Sequence, residues 1–424
     1  MTNRGENLTK NSWAMTSSWP MTATFIAALF AALLIASPMA EAAKKNANCR
    51  NTGQFGPWLR DFKREARANG ISQRTINSAL ANVTLDRGII RKDRRQGFFS
   101  QDFLSFAKRV IMPYRMTRGK KLIRKHARIF ARIQKEYGVT APVLVAFWAL
   151  ESDFGASMGK DRSLRSLATL AYDCRRPELF RPELMAALKI IERGDLRATD
   201  MIGSWAGELG QTQFLPTHYF NHAVDYDGDG RKNLLRSVPD VLGSTAKYLV
   251  HIGWRANEPW LEEVRIPSKM NWAEADLAIK HPRSSWAKWG VRYRNGKAIP
   301  GDTKQASLHL PMGRKGPAFL AYPNFSVYTE WNNSLTYATS AAYFATRLAG
   351  APLVHPGRGP RENFDHKKIR QLQVLLERRG YDVGGVDGTL GIKSRAAVKA
   401  LQLKNGLPAD SYPDNRMLQR LRGR

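Results

Sequence analysis

The chain has 424 residues, too many for one ordinary core, and its 43% hydrophobic content with 11 Trp excludes a disordered chain. Its 67 Lys and Arg against 36 Asp and Glu give a formal net charge of +31. Such an excess favours an anionic partner: nucleic acid, an anionic membrane face or an acidic polymer.

The N-terminus narrows that choice. Phe25 to Ala36 is a short apolar run without charge, and Ala40-Glu41-Ala42 follows as a small-x-small cleavage signal. Arg4 and Lys10 supply a positive start, though a distant one. The run is too short to span a bilayer comfortably, so residues 1–42 read as a cleaved secretory signal, with an uncleaved anchor as the alternative. The expected location is the periplasm, with no stable membrane span left after cleavage. Export removes nucleic acid from the partners. It also makes Cys49 and Cys174, the only two cysteines, candidates for a disulfide. Such a bond would stabilise the fold by roughly 4–5 kcal/mol in the chain-entropy model. Two buried thiols are the alternative.

Phe55 to Ala68 has helical spacing, and Gly70 breaks it. A second short helix is expected from Ser72, as N-cap, to Leu80. From Arg91 to Lys135 Lys and Arg dominate, with Phe103, Leu104, Phe106, Ile123, Phe130 and Ile133 interleaved. This pattern predicts amphipathic helices with a cationic outer face, which either is merely solvated or binds anions.

Ala141 to Gly159 reads as an apolar helix, with Pro142 suited to its first turn and Gly155 to its end. Glu151 breaks the pattern. It closes an uncharged run, with Phe147 and Trp148 four and three positions earlier. A carboxylate there loses solvation, and its pKa should rise, which is what a general acid at neutral pH needs. The plainer reading is a carboxylate at a helix edge that reaches water. Asp153, two positions on, should point to another face.

Helical spacing continues through Leu184 to Arg193 and Val241 to Gly253. Between them, Gly203 to Tyr219 combines three glycines with Ser204, Gln211, Thr212 and Gln213 beside Trp205, Phe214 and Tyr219. Neutral amides and hydroxyls next to aromatic faces suit sugars, and equally suit a polar turn. Asp225, Asp227 and Asp229 occupy positions 1, 3 and 5 of an EF-hand-like loop, with Gly230 at position 6. Position 12 is Arg236, where a bidentate Glu is required, and Asp240 could close the site only from a longer loop. The loop is therefore either a weak structural calcium site or an EF-hand shape held without metal. No other cofactor is required. His218 and His222 have no Cys or Glu partners for zinc and read as packing or capping residues.

From Trp260 to Ala321 the sequence predicts a few short strands, and Leu335 to Leu348 returns to helix. Residues 351–364 are rich in Pro and Gly and read as a linker. Beyond them, the apolar spacing at Ile369, Leu372, Leu375 and Leu376, the Gly-rich turn 380–391, and Ala396 to Leu403 describe a small helical module. Together the chain is mainly α: a main region 43–350, the linker, and a small module of two or three helices over 365–424.

Taken together these motifs resemble soluble lytic murein transglycosylases of the membrane-bound-lytic-transglycosylase-B type. The residues that carry the resemblance are 149–155 with Met158-Gly-Lys160, then Ser166 to Ala171, Gly203 to Gly207 and Gly210 to Pro216. Ala223 to Gly230, Gly243 to Tyr248 and Asn332 to Ala338 complete it over roughly residues 49–350. The tail resembles a peptidoglycan-binding module of the three-helix type, through Leu372 to Leu376, Gly380-Tyr381, Val386 to Gly388, Gly391 and Ala397 to Gln402.

The resemblance implies a lysozyme-like helical catalytic domain in which Glu151 is both acid and base, cutting the MurNAc–GlcNAc bond of peptidoglycan without water. No second carboxylate is then needed, unlike the two-carboxylate glycosidases. By position, Ser204, Gln213, Tyr248, Trp331, Asn332 and Tyr337 would bind sugar. The implied partners are peptidoglycan glycan strands, with proteins of cell-wall synthesis or division beside them. The sequence departs from the family at Glu208, where a small residue is common. Glu208 is expected to be peripheral. As a second carboxylate near the site it would instead support a hydrolytic muramidase. The remaining alternative is a non-catalytic wall-binding scaffold.

Overall fold

The computed structural model describes residues 49, 51, 53–94, 101–359, 362 and 364–423. The export segment expected at 1–42 lies outside them. The helices are α1 Phe55–Ala68, α2 Gln73–Leu80, α3 Arg87–Arg94, α4 Phe103–Val110, α5 Pro113–Lys125, α6 Ala127–Tyr137, α7 Ala141–Ser152, α8 Ser163–Tyr172 and α9 Pro177–Glu192. They continue with α10 Pro216–His222, α11 Val238–His251, α12 Arg283–Lys288, α13 Pro323–Trp331, α14 Leu335–Leu348, α15 His366–Glu377, α16 Ile392–Lys404 and α17 Asn415–Leu421. Among these described residues no helix is long and apolar enough to cross a membrane.

Helix α7 is the axis of the main core. It is apolar all round, so it has no face to give to water and must be surrounded. Val143 to Ala149 are between 0% and 2% exposed. Helices α14 and α5 pack along it, while α8 packs on α9 and α9 on α10. The approach of α5 depends on Gly119, where a Cβ would come within 3.0 Å of Leu348 and 3.1 Å of Val145. Gly119 is the one buried residue of α5, and apart from Arg115 its Lys and Arg side chains face outward. On α2, Ser72 caps the N-terminus by accepting the Thr75 N–H.

A short antiparallel pair joins β1 (Asp161–Arg162) to β2 (Ile202–Gly203). The region expected to hold a few short strands holds a five-stranded antiparallel sheet. Its strands are β3 Leu261–Arg265, β4 His281–Pro282, β5 Arg292–Tyr293, β6 Gln305–His309 and β7 Ala318–Ala321, in the order β4-β6-β7-β3-β5. A second apolar cluster around Trp286, Leu308 and Leu320 lies on this sheet.

The three tail helices enclose a third cluster around Leu372, Leu376 and Val398. They do not hang free. Arg395, 8% exposed, donates to the Leu310 and Pro311 carbonyls. Lys399 pairs with Asp276 at 2.9 Å and Arg314 with Asp410 at 2.8 Å. The Pro- and Gly-rich stretch is also tied to the sheet region: the His355 N–H donates to Glu263 at 2.7 Å and Arg358 to the Pro267 carbonyl at 2.7 Å. Cys49 and Cys174 are joined as a disulfide, which fastens the segment before α1 to the end of α8.

Candidate active site

Helix α7 stops one step after Glu151. The stop is not glycine-made, as Gly155 suggested. Asp153 and Phe154 both adopt positive φ, at 53° and 61°. This conformation costs non-glycine residues about 1 kcal/mol or more and needs outside support. The support for Asp153 is its carboxylate, which accepts from Arg115 at 3.0 Å and from the Tyr114 hydroxyl at 2.8 Å. Asp153 is thus paired with α5 and leaves Glu151 alone at the helix end. Ser152 reinforces the stop, taking the Gly155 N–H and donating to the Gln211 carbonyl.

Glu151 is partly buried, and two donors converge on one of its oxygens. Oε1 accepts the Trp331 indole N–H at 2.8 Å and the Tyr337 hydroxyl. Among the described residues Oε2 has no partner, so it is the oxygen left to carry a proton. Burial raises the Glu151 pKa from its ordinary value to about 7; the Tyr337 and Trp331 hydrogen bonds oppose that rise, and the charge of Glu208 adds to it. The acid therefore keeps its proton well above the ordinary carboxyl range.

Phe147 and Trp148 act differently from each other. Phe147 is fully buried, and its ring centroid lies 4.4 Å from that of Trp331. It therefore holds the indole that holds Glu151. Trp148 faces the other way, donating to the Gln211 Oε1 at 2.8 Å.

The Gly-rich stretch folds as a tight turn against this helix end. Gly203 is required there, because a Cβ would sit 2.0 Å from the Glu208 carbonyl; at Gly159, with φ 94°, a Cβ would sit 2.0 Å from the Gly203 carbonyl. The four polar side chains of the turn divide into two kinds. Gln211 and Thr212 are buried and structural: Gln211 also donates to the Leu235 carbonyl, and Thr212 takes the Thr245 hydroxyl. Gln213 and Ser204 remain partly exposed. Gln213 is held at φ 50°, with its amide nitrogen on the Gly210 and Met158 carbonyls. Spacing could not separate Gln211 from Gln213; the positive φ does.

Tyr248 extends the aromatic wall, 5.6 Å from Trp331 and 5.3 Å from Phe214 between ring centroids. Its hydroxyl lies 3.3 Å from His218 Nε2, so this histidine is a partner of the wall. Asn332 uses its side-chain oxygen to accept the Ser334 N–H, which shapes the turn between Trp331 and Tyr337. Glu208 is not peripheral. It is partly buried beside Ser204, burial raises its pKa, and its charge is felt by both Glu151 and Tyr337.

In the EF-hand-like loop, carboxylate oxygens of Asp225, Asp227 and Asp229 lie within 4.8 Å of one another. Asp240 stands outside that trio. It is fully buried and takes the Tyr226 and Asn233 N–H groups, both at 2.7 Å, so it braces the loop. Three carboxylates in reach of one point are the oxygen donor set that suits a hard cation such as calcium.

A mainly helical, lysozyme-like domain with a proton-retaining carboxyl held among aromatic side chains is the class that this fold and site define. Residues 54–346 match the transglycosylase SLT domain, and the chain belongs to that family. Residues 365–421 match a putative peptidoglycan binding domain. The chain is 31% identical over 240 residues to membrane-bound lytic murein transglycosylase B of Escherichia coli (strain K12). That match covers 56% of this chain and 64% of the relative, so the chain spans just under two thirds of that relative's length. SltB3 of Pseudomonas aeruginosa, solved in complex with NAG-anhNAM-pentapeptide, is 40% identical with a TM-score of 0.80, covering 88% of this chain and 100% of that one. The Escherichia coli lytic transglycosylase Slt35, solved in complex with calcium, is 27% identical with a TM-score of 0.59, covering 72% and 97%.

Proposed function

We propose that this protein cuts the β-1,4 bond between MurNAc and GlcNAc in peptidoglycan without water and leaves 1,6-anhydroMurNAc ends. The observation that carries this reading is the single carboxyl of Glu151, pinned through Oε1 and free at Oε2, with a pKa raised to about 7. Oε2 gives its proton to the glycosidic oxygen as the MurNAc acetamido oxygen attacks the anomeric carbon and the leaving sugar departs. Glu151, now a carboxylate, takes the proton of the C6 hydroxyl as O6 displaces the acetamido oxygen and closes the anhydro ring. One group with a pKa near the working pH serves both transfers. Gln213, Tyr248, Trp331, Asn332 and Tyr337 line the sugar path in this reading, with Ser204 behind them.

In the same reading residues 43–350 form the catalytic domain, 351–364 connect it, and 365–424 hold the wall. Residues 1–42 direct export to the periplasm. The +31 charge assists by attracting the free carboxylates of stem peptides, with proteins of cell-wall synthesis or division as neighbours. The Asp225, Asp227 and Asp229 trio holds structural calcium and stiffens the loop before α11. Digestion of purified sacculi tests the function: anhydro products from the wild type and none from Glu151→Gln support it, and binding without any release removes it.

A further inference from the structure

Ser204 stands at a position assigned to sugar, yet its hydroxyl is already saturated. A serine hydroxyl has one proton and two lone pairs. Here the proton goes to Glu208 Oε2 at 2.9 Å, and the oxygen accepts the Ala206 N–H at 3.1 Å and the Glu208 N–H at 3.3 Å. Nothing is left for a ligand. The serine backbone is engaged as well, its N–H donating to the Glu208 carbonyl at 3.0 Å. Ser204 and Glu208 thus close a small rigid ring on the tight turn that Gly203 permits.

Glu208 is the reverse case. Its Oε2 is fixed by Ser204, while Oε1 has no hydrogen-bond partner among the described residues. Oε1 is also absent from the buried atoms without partners, so it is not sealed in the core. Its neighbour Leu209 is bridged to Phe214, whose ring lies 5.8 Å from that of Trp331, the donor to Glu151, so Glu208 sits on the turn that packs against the acid's partner, and its charge acts on Glu151 and Tyr337. A carboxyl pinned through one oxygen, with the other unpaired, is an acceptor held ready for a donor.

We propose that Glu208 is a substrate-binding residue of this site: Ser204 orients its carboxyl, and Oε1 accepts a hydrogen bond from an acetamido N–H or a hydroxyl of the bound saccharide. This rests on the saccharide reading above and deepens it. Glu208 transfers no proton. It takes over the contact that Ser204 is unable to make, and a carboxyl at this place selects for donors where a small residue would leave room for water.

The test is binding of the GlcNAc–anhydroMurNAc disaccharide by calorimetry in a Glu151→Gln background, where no cleavage interferes. Adding Glu208→Ala should weaken binding about ten-fold or more, the range for a hydrogen bond to a charged group. Glu208→Gln, which keeps an acceptor oxygen, should fall between the two. In otherwise wild-type enzyme, Glu208→Ala should raise KM more than it lowers kcat and leave the anhydro product unchanged. Thermal melting and circular dichroism confirm that each variant is folded. Unchanged affinity in folded Glu208→Ala overturns the proposal. So does loss of kcat at constant KM, which would make Glu208 a catalytic carboxyl. If the wild type releases no anhydro product, the cleavage reading fails on its own, while the binding comparison still reads Glu208.

Discussion

Tyr337 donates its hydroxyl to Glu151 Oε1, across 186 residues of chain, and so leaves the other carboxyl oxygen without a protein partner among the described residues. The Trp331 indole reaches the same Oε1 from the end of α13. Two donors on one oxygen stabilise the carboxylate, while burial favours the acid. The near-neutral pKa is the balance of the two.

Removing the acid should cost most of the activity. Glu151→Gln keeps an acceptor for Trp331 and Tyr337 but has no proton to give. Release of soluble muropeptides should fall by about 10²–10⁴-fold. The same variant should be more stable at alkaline pH. A carboxyl whose folded pKa stands near 7, against an ordinary 4.5, binds its proton more tightly when folded, so wild-type stability falls as pH rises between those values. Glu151→Gln removes that loss, on the order of 3 kcal/mol. The gain should be seen in melting temperature at pH 8 and be small at pH 4.

The pH–rate profile should report the same group. Activity needs the Glu151 proton, so kcat/KM should decline as pH rises through about 7. Tyr337→Phe removes a hydrogen bond that favours the carboxylate. It should move that alkaline limb to higher pH while lowering kcat/KM by about ten-fold. A limb that stays in place in Tyr337→Phe would detach it from Glu151.

Much of this site could be read from the sequence, and the part that could not has a physical cause. Glu151 stood out because α7 is apolar on every side, so one carboxyl at its end is an exception that needs a reason. Trp331 and Tyr337 have no local signal, since only tertiary packing brings α13 and α14 to the end of α7; their place came from resemblance. The helix stop was misplaced at Gly155 because Asp153 and Phe154 are not residues that favour positive φ, and the Arg115 partner that holds Asp153 lies on another helix. Glu208 was set at the periphery because i to i+4 proximity to Ser204 appears only once the Gly203 turn is formed. The five-stranded sheet was underestimated because β4 and β5 have two residues each, too few for any alternation to show.

The disulfide between Cys49 and Cys174 closes a separation of 125 residues. Reduction, or Cys174→Ser, should cost about 2–5 kcal/mol. Melting with and without reductant measures it. The loss should appear as a lower melting temperature, with the Glu151 pH limb unchanged in the protein that remains folded, because the bond fastens α8 and not α7.

Calcium should act on stability and not on chemistry. Titration into metal-stripped protein should raise the melting temperature by mass action, and Asp225→Ala with Asp227→Ala should abolish the rise. Absence of any calcium-dependent shift would make the loop a purely structural turn braced by Asp240.

The most direct test of the central claim is the mass of the product released from purified sacculi in water enriched in oxygen-18. One carboxyl and no attacking water predict muropeptides one water lighter than hydrolysed ones, with anhydro ends and no heavy oxygen. Reducing ends carrying oxygen-18 would contradict the account and make the protein a hydrolase.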